Sequence, residues 1–186
     1  ISYQSIIGFG GAFTESAGFC YSKLSNEKKS DLLKCYFSSE GLNYSMGRLP
    51  IGSSDFSLKS YSYSKKSDLS DFNIDKDKEY ILPFLQAALS KRGLKLLASP
   101  WSPPSFMKTT KMLTLGGKLA NKYKQTWADY LVKYIKSYKN EGIHINYMTV
   151  QNEPNAIQTW ESCLYSPQEE ASFATNYLYY TFVKEK

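Results

Sequence analysis

The chain has 186 residues, of which 42% are apolar and 16% aromatic, with 16 tyrosines, a composition that suits a globular core and excludes a disordered or fibrous chain. Its net charge of +6 comes from lysines scattered over the outer faces of the predicted helices, with Lys28-Lys29 and Lys65-Lys66 the densest pairs, so a solvated surface is expected rather than a nucleic-acid groove. Cys20, Cys35 and Cys163 form no Cys-x-x-Cys and His144 is the only histidine, which argues against a zinc site, a full disulfide framework, a Ser-His-Asp hydrolase or a His-ligated metal enzyme within this chain.

The first apolar run, residues 6–13, reads as a strand ending in Thr14-Glu15-Ser16. Its Gly8-Phe9-Gly10-Gly11 lacks the spacing of a dinucleotide fingerprint, and no helix is expected directly after it. Glu15 is read as a structural carboxylate, with Thr14 and Ser16 as turn formers. Ser25 caps a helix over residues 26–37, which turns Leu32, Leu33, Tyr36 and Phe37 inward and stops before Gly41. A second strand, residues 44–51, carries Arg48, one of two arginines. A buried guanidinium demands an anionic partner, which Asp55 or a carboxylate outside this chain could supply. Asp55 itself, in Ser53-Ser54-Asp55-Phe56, suits either hydroxyl binding or a turn cap. The sequon Asn43-Tyr44-Ser45 opens this strand and is expected to be buried and unmodified.

A serine-rich loop, residues 60–71, follows, and long βα loops of this kind shape substrate sites. The next helix starts at Asp75 or Asp77 and ends near Gly93, with Pro83 inside it forcing a late start or a kink. A third strand, residues 94–99, runs into Pro100-Trp101-Ser102-Pro103-Pro104. Trp101 there offers an indole face to a sugar or packs the rim. A second long loop, residues 111–120, contains Gly116-Gly117. The clearest helix covers residues 122–141, with Tyr123, Trp127, Tyr130, Leu131, Tyr134, Ile135 and Tyr138 on one face. The fourth run, residues 146–150, reads as a buried strand ending in Gln151-Asn152-Glu153-Pro154, where Pro154 is expected to hold Glu153 extended. Ser166 and Pro167 then open a last helix, whose tail over residues 179–184 fits no clear pattern.

Strands alternating with helices imply a parallel sheet. Four units are too few for a closed barrel, which needs eight strands in about 250 residues. Residues 1–186 therefore read as about the first half of a (β/α)8 TIM barrel, truncated at the C-terminus and also at the N-terminus. The strands' C-terminal rim is where catalytic groups gather in such a fold, so a glutamate there is a candidate for acid/base work.

Five motifs in order, Gly8 to Ala17, Ser54-Asp55-Phe56-Ser57, Leu97 to Pro104, Gln125-Thr126-Trp127-Ala128 and Val150-Gln151-Asn152-Glu153-Pro154, together resemble glycoside hydrolase family 30, the glucosylceramidase-like family. Thr159-Trp160-Glu161-Ser162-Cys163 is similar to its bacterial-type branch. The resemblance implies a (β/α)8 barrel with a β-sandwich side domain, retaining chemistry on a β-glucoside of the glucosylceramide type, and no cofactor. It implies Glu153 as general acid/base, Asn152 holding the sugar 2-hydroxyl, Asp55 and Trp101 binding the sugar, and Arg48 steadying a nucleophile that lies outside this chain. A β-xylosidase, an endo-β-1,6-glucanase and a catalytically inactive carbohydrate binder are the alternatives. The isolated residues are expected to be inactive. A lipid-linked substrate would suit contact of the basic surface with a membrane. A secreted or lysosome-like setting is implied by the resemblance alone, since no targeting segment or apolar run of about 20 residues is present.

Overall fold

A computed structural model describes residues 3–185. Four strands, β1 (Gly10–Ala12), β2 (Met46–Ile51), β3 (Lys95–Pro100) and β4 (Tyr147–Met148), form one parallel sheet in sequence order. Parallel neighbours need crossovers, and helices supply them: α1 (Glu15–Ser22) and α2 (Asn26–Phe37) after β1, α3 (Asp75–Glu79) and α4 (Ile81–Leu89) after β2, and α5 (Lys124–Asn140) after β3. After β4 come α6 (Pro167–Phe173), a π-helical turn (Ala174–Leu178) and α7 (Tyr179–Lys184). Every βα loop therefore leaves the sheet at the same rim. The arrangement is a partial (β/α) barrel.

β2 and β3 pair over six residues, from Met46 against Lys95 to Ile51 against Pro100. Leu49, Ile51, Leu96 and Ala98 from this pair are fully buried in one cluster with Phe37, Leu85, Ala88, Trp127, Leu131 and Tyr134 of the helices. Side chains alternate along a strand, so Arg48 lies on the face opposite Leu49. Gly10 is required where it stands: a Cβ there would lie 1.8 Å from the Met46 carbonyl oxygen, and only glycine lets β1 close on β2.

The outer strands are shorter than their apolar runs. Ile6, Ile7 and Phe9 are exposed and β1 begins only at Gly10. The expected buried fourth strand is two residues long, with Tyr147 exposed. β1 and β4 each have one neighbour among the described residues, and an apolar run without a second neighbour has nothing to pair with or be buried by. The sequon also lies outside its strand: Asn43 is exposed with φ +54, three residues before β2 begins.

Helix starts follow the capping chemistry. Ser25 and Ser166 accept from the backbone N–H groups of Lys28 and Glu169, and Glu169 returns a capping-box bond to Ser166. Pro83 splits the second predicted helix. It has no N–H to offer the Glu79 carbonyl, and the chain breaks at Tyr80, φ −136 and ψ −43, between α3 and α4. The helix α1 was not expected, because Glu15–Ser22 shows no apolar stripe; Thr14 caps it by accepting from Ala17 N–H at 3.1 Å.

The long loop after β2 folds inward. Tyr61 donates to Asp77 Oδ1 at 2.8 Å, while Tyr63 and Tyr138 of α5 donate to Oδ2, each at 2.6 Å. Tyr63 also accepts from Gly52 N–H at 3.0 Å. The tyrosines of this loop thus tie the end of β2 to α3 and α5, and this part of it is scaffold rather than substrate wall.

Candidate active site

Three strand ends bring together residues far apart in sequence. Arg48 on β2 donates from Nη2 to Asn152 Oδ1 at 2.7 Å and from Nε to Ser99 Oγ at 3.3 Å. Its guanidinium carbon lies 4.8 Å from the centre of the Trp101 ring, a cation–π distance. Thr149 after β4 donates to Ser99 Oγ at 2.8 Å. Gln151 is buried and donates to the carbonyls of Trp101 and Asn152, at 2.8 and 2.9 Å, while Asn152 N–H donates to Pro100 O at 2.8 Å. Arg48, Trp101 and Asn152 are therefore one cross-braced unit.

Arg48 is half-buried, and its partners are neutral. Among the described residues no carboxylate lies within ion-pair distance of it, and Asp55 is not its partner. Asp55 sits exposed at a turn in which Ser54 Oγ accepts from Phe56 N–H at 3.2 Å, so the cap is Ser54 and the Asp55 carboxylate is open to solvent. The turn is fixed from below by Glu15. This buried glutamate accepts from Leu58 N–H at 2.8 Å, and Ser16 donates to Phe56 O from both its backbone and its hydroxyl. Trp101 packs against Arg48 and is partly exposed.

Glu153 stands next to Asn152 at the end of β4, exposed, with φ +48. The extended backbone expected of it is not found. Proline disfavours right-handed helical geometry in the residue before it, and the chain must reverse here, with Ala156 N–H donating to Glu153 O at 3.0 Å and Tyr165 N–H to Pro154 O at 2.9 Å. The left-handed region is what remains. A non-glycine residue there costs roughly 1–3 kcal/mol, and such strain clusters where geometry serves function.

Beyond Glu153, the loops after β3 and β4 are joined into a ribbon. Leu115 N–H donates to Gln158 O at 2.9 Å, Ser162 N–H to Leu113 O at 3.1 Å, and Leu164 N–H to Gly117 O at 2.8 Å. Lys108 is wholly buried beneath it, donating to the carbonyls of Leu113, at 3.0 Å, and Ser162. Burial pushes its ammonium down to about 8. Ser162 Oγ accepts from Gly116 N–H at 2.9 Å and Gln158 N–H at 3.2 Å, and the Gln158 side chain donates to Glu153 Oε2 at 3.3 Å. A second tie crosses to the loop after β2, where Ser53 Oγ donates to buried Glu161 at 2.7 Å. None of Lys108, Gln158, Ser162 and Glu161 carries a local pattern that singles it out, although Glu161 and Ser162 fall within a motif.

The chain matches the glycosyl hydrolase family 30 TIM-barrel domain over residues 6–178. SrfJ from Salmonella typhimurium has a crystal structure that superposes with a TM-score of 0.95 at 41% identity, covering 98% of this chain and 42% of SrfJ. The endo-β1,6-glucanase BT3312 superposes with a TM-score of 0.91 at 32% identity over 98% of this chain and 43% of that one. Lysosomal acid glucosylceramidase of Mus musculus is 35% identical over 164 residues, 83% of this chain and 32% of the mouse protein. Residues 1–186 thus span less than half the length of each of these relatives. The family is one of glycosidases, and its matched domain has the parallel βα architecture that places Arg48, Trp101, Asn152 and Glu153 at one rim: the chain belongs to glycosyl hydrolase family 30.

Proposed function

We propose that these residues are the first half of the barrel of a retaining β-glucosidase, with Glu153 as its general acid/base. The observation that carries this reading is Glu153 held in a left-handed turn at the β4 rim, beside an Asn152–Arg48 pair that has no carboxylate partner among the described residues. A retaining glycosidase needs two carboxyl groups about 5–5.5 Å apart. Glu153 supplies one. The second, the nucleophile, comes from outside these residues, and Arg48 is the cation that holds it ionised.

In the first step that carboxylate attacks the anomeric carbon while the Glu153 carboxyl gives its proton to the departing oxygen. In the second, the Glu153 carboxylate takes a proton from water, which attacks the same carbon and releases the sugar, restoring both groups. With Asn152 Oδ1 accepting from Arg48, the Asn152 amide nitrogen serves as donor to the sugar 2-hydroxyl. The exposed Asp55 accepts from hydroxyls remote from the scissile bond, and the partly exposed Trp101 packs on the ring.

A lipid-linked β-glucoside of the glucosylceramide type is the favoured substrate, supported by 35% identity with the mouse glucosylceramidase over 83% of this chain. The likeness to the glucanase BT3312 supports a second reading as an endo-β-1,6-glucanase. Assay of the whole protein on glucosylceramide and on β-1,6-glucan separates the two, and activity on neither supports a carbohydrate binder. In the whole protein, Asp55→Ala is expected to lower glucoside kcat/KM about a hundredfold with an unchanged melting temperature, because the carboxylate is exposed. Unchanged kcat/KM removes Asp55 from the sugar site. Residues 1–186 alone are expected to hydrolyse no aryl β-glucoside, since one catalytic carboxyl cannot complete the double displacement; turnover by the purified piece overturns that division of the machinery.

A further inference from the structure

Glu153 is exposed and its backbone is strained, so nothing in its own packing fixes which way its carboxyl group points. A proton donor must be oriented to within a fraction of an ångström of its target. Gln158 supplies a contact: its Nε2 donates to Glu153 Oε2 at 3.3 Å. It comes from the same loop, five residues on, across the turn closed by Ala156 N–H on Glu153 O.

Gln158 is itself held. Its backbone N–H donates to Ser162 Oγ at 3.2 Å and its carbonyl accepts from Leu115 N–H at 2.9 Å. Ser162 is buried, and its carbonyl accepts from the ammonium of Lys108, which is also buried and bonds Leu113 O of the neighbouring loop. A buried ammonium with only carbonyl partners is an expensive way to join two loops, and it ties Leu113 to Ser162, the residue whose hydroxyl holds the Gln158 backbone.

We propose that Gln158 is a positioning residue for Glu153, occupying Oε2 so that the transferable proton resides on Oε1, and that Lys108 and Ser162 hold Gln158 in place. The inference rests on Glu153 being the acid/base. A carboxyl oxygen that already accepts a hydrogen bond is the poorer site for the proton, so the amide selects the oxygen that faces the leaving group. Loss of this contact therefore harms proton donation and leaves nucleophilic attack and sugar binding intact.

The test uses the whole protein and aryl β-glucosides of graded leaving-group ability. Gln158→Met keeps length and removes the donor, and Gln158 is only partly buried, so folding is retained. The expected result is about a thirtyfold fall in kcat/KM for a poor leaving group, less than threefold for a dinitrophenyl glucoside, and KM within about twofold. Ser162→Ala should show the same gradation, more weakly. An equal loss across the series, or none, overturns the role of Gln158; a graded Gln158→Met with a flat Ser162→Ala overturns the Lys108–Ser162 support. Azide rescue of Glu153→Gln, run in parallel, separates the two levels. Where azide rescues Glu153→Gln and Gln158→Met is silent, only the positioning role falls; where azide does not rescue, both readings fall.

Discussion

Glu153→Gln in the whole protein is expected to reduce turnover of a lipid-linked β-glucoside by about 10²–10⁴-fold, the usual worth of general acid/base catalysis. The carboxamide keeps the shape of the side chain and can neither give nor take the proton. The loss should grade with the leaving group. An alkoxide cannot depart unprotonated, whereas dinitrophenolate can, so a dinitrophenyl glucoside should still form the glycosyl-enzyme and then stall, because water has lost its base. Azide needs no base and should restore turnover, yielding β-glucosyl azide. That configuration requires two inversions at the anomeric carbon and so reports the covalent intermediate. An α-azide product would make Glu153 the nucleophile, and equal loss on every substrate without rescue would make it structural.

The parts of this architecture that were legible in the sequence are those specified locally. β2, β3, α5 and α6 stand where apolar runs, aromatic periodicity and the Ser166-Pro167 cap put them. β1 and β4 were overestimated because Ile6, Ile7 and Tyr147 are apolar whether or not a neighbouring strand covers them. The break at Tyr80 was half-legible: Pro83 announced a disturbance, and its position was set by the carbonyl four residues earlier.

At the site, the Asn152-Glu153-Pro154 triplet marked the strand end, and Arg48 stood out as a rare guanidinium in an apolar run. The left-handed turn at Glu153 was not legible, because Pro154 excludes one region and only the returning chain, through Tyr165 N–H on Pro154 O, chooses between the others. Lys108 is one of many lysines, and nothing local distinguishes it from the exposed ones. Its role depends on two carbonyls, one of them 54 residues away. Glu15 was rightly read as structural, though what it fixes, the turn under Asp55, is a tertiary fact.

Asp77 is expected to be a highly sensitive stability position and to impose a specific pH dependence. It is fully buried and accepts from Tyr61, Tyr63 and Tyr138. Asp77→Ala leaves at least two buried hydroxyls, those of Tyr63 and Tyr138, without their acceptor and opens a void between α3, α5 and the loop after β2. Unpaired buried donors cost about 1–3 kcal/mol each, so a loss of roughly 3–5 kcal/mol is expected. Asp77→Asn keeps an acceptor and should cost less. Burial pushes the Asp77 carboxyl up to about 6, against the opposing pull of the three hydroxyl bonds, led by Tyr138. Between its ordinary value near 3.9 and about 6, the folded protein therefore keeps a proton that the unfolded chain has released. Stability from this group is greatest below that window, falls as pH rises through it and is constant above it. Glu169 works in the opposite direction, its carboxyl being lowered by Lys118, so the wild-type curve alone mixes both effects. The difference between wild type and Asp77→Asn isolates Asp77. Measured by urea unfolding of the whole protein, that difference should shrink by about 2–3 kcal/mol between pH 4 and pH 6.5 and then level off. A difference independent of pH would mean that the three hydroxyl bonds just offset burial, and one that grows with pH would mean that they outweigh it.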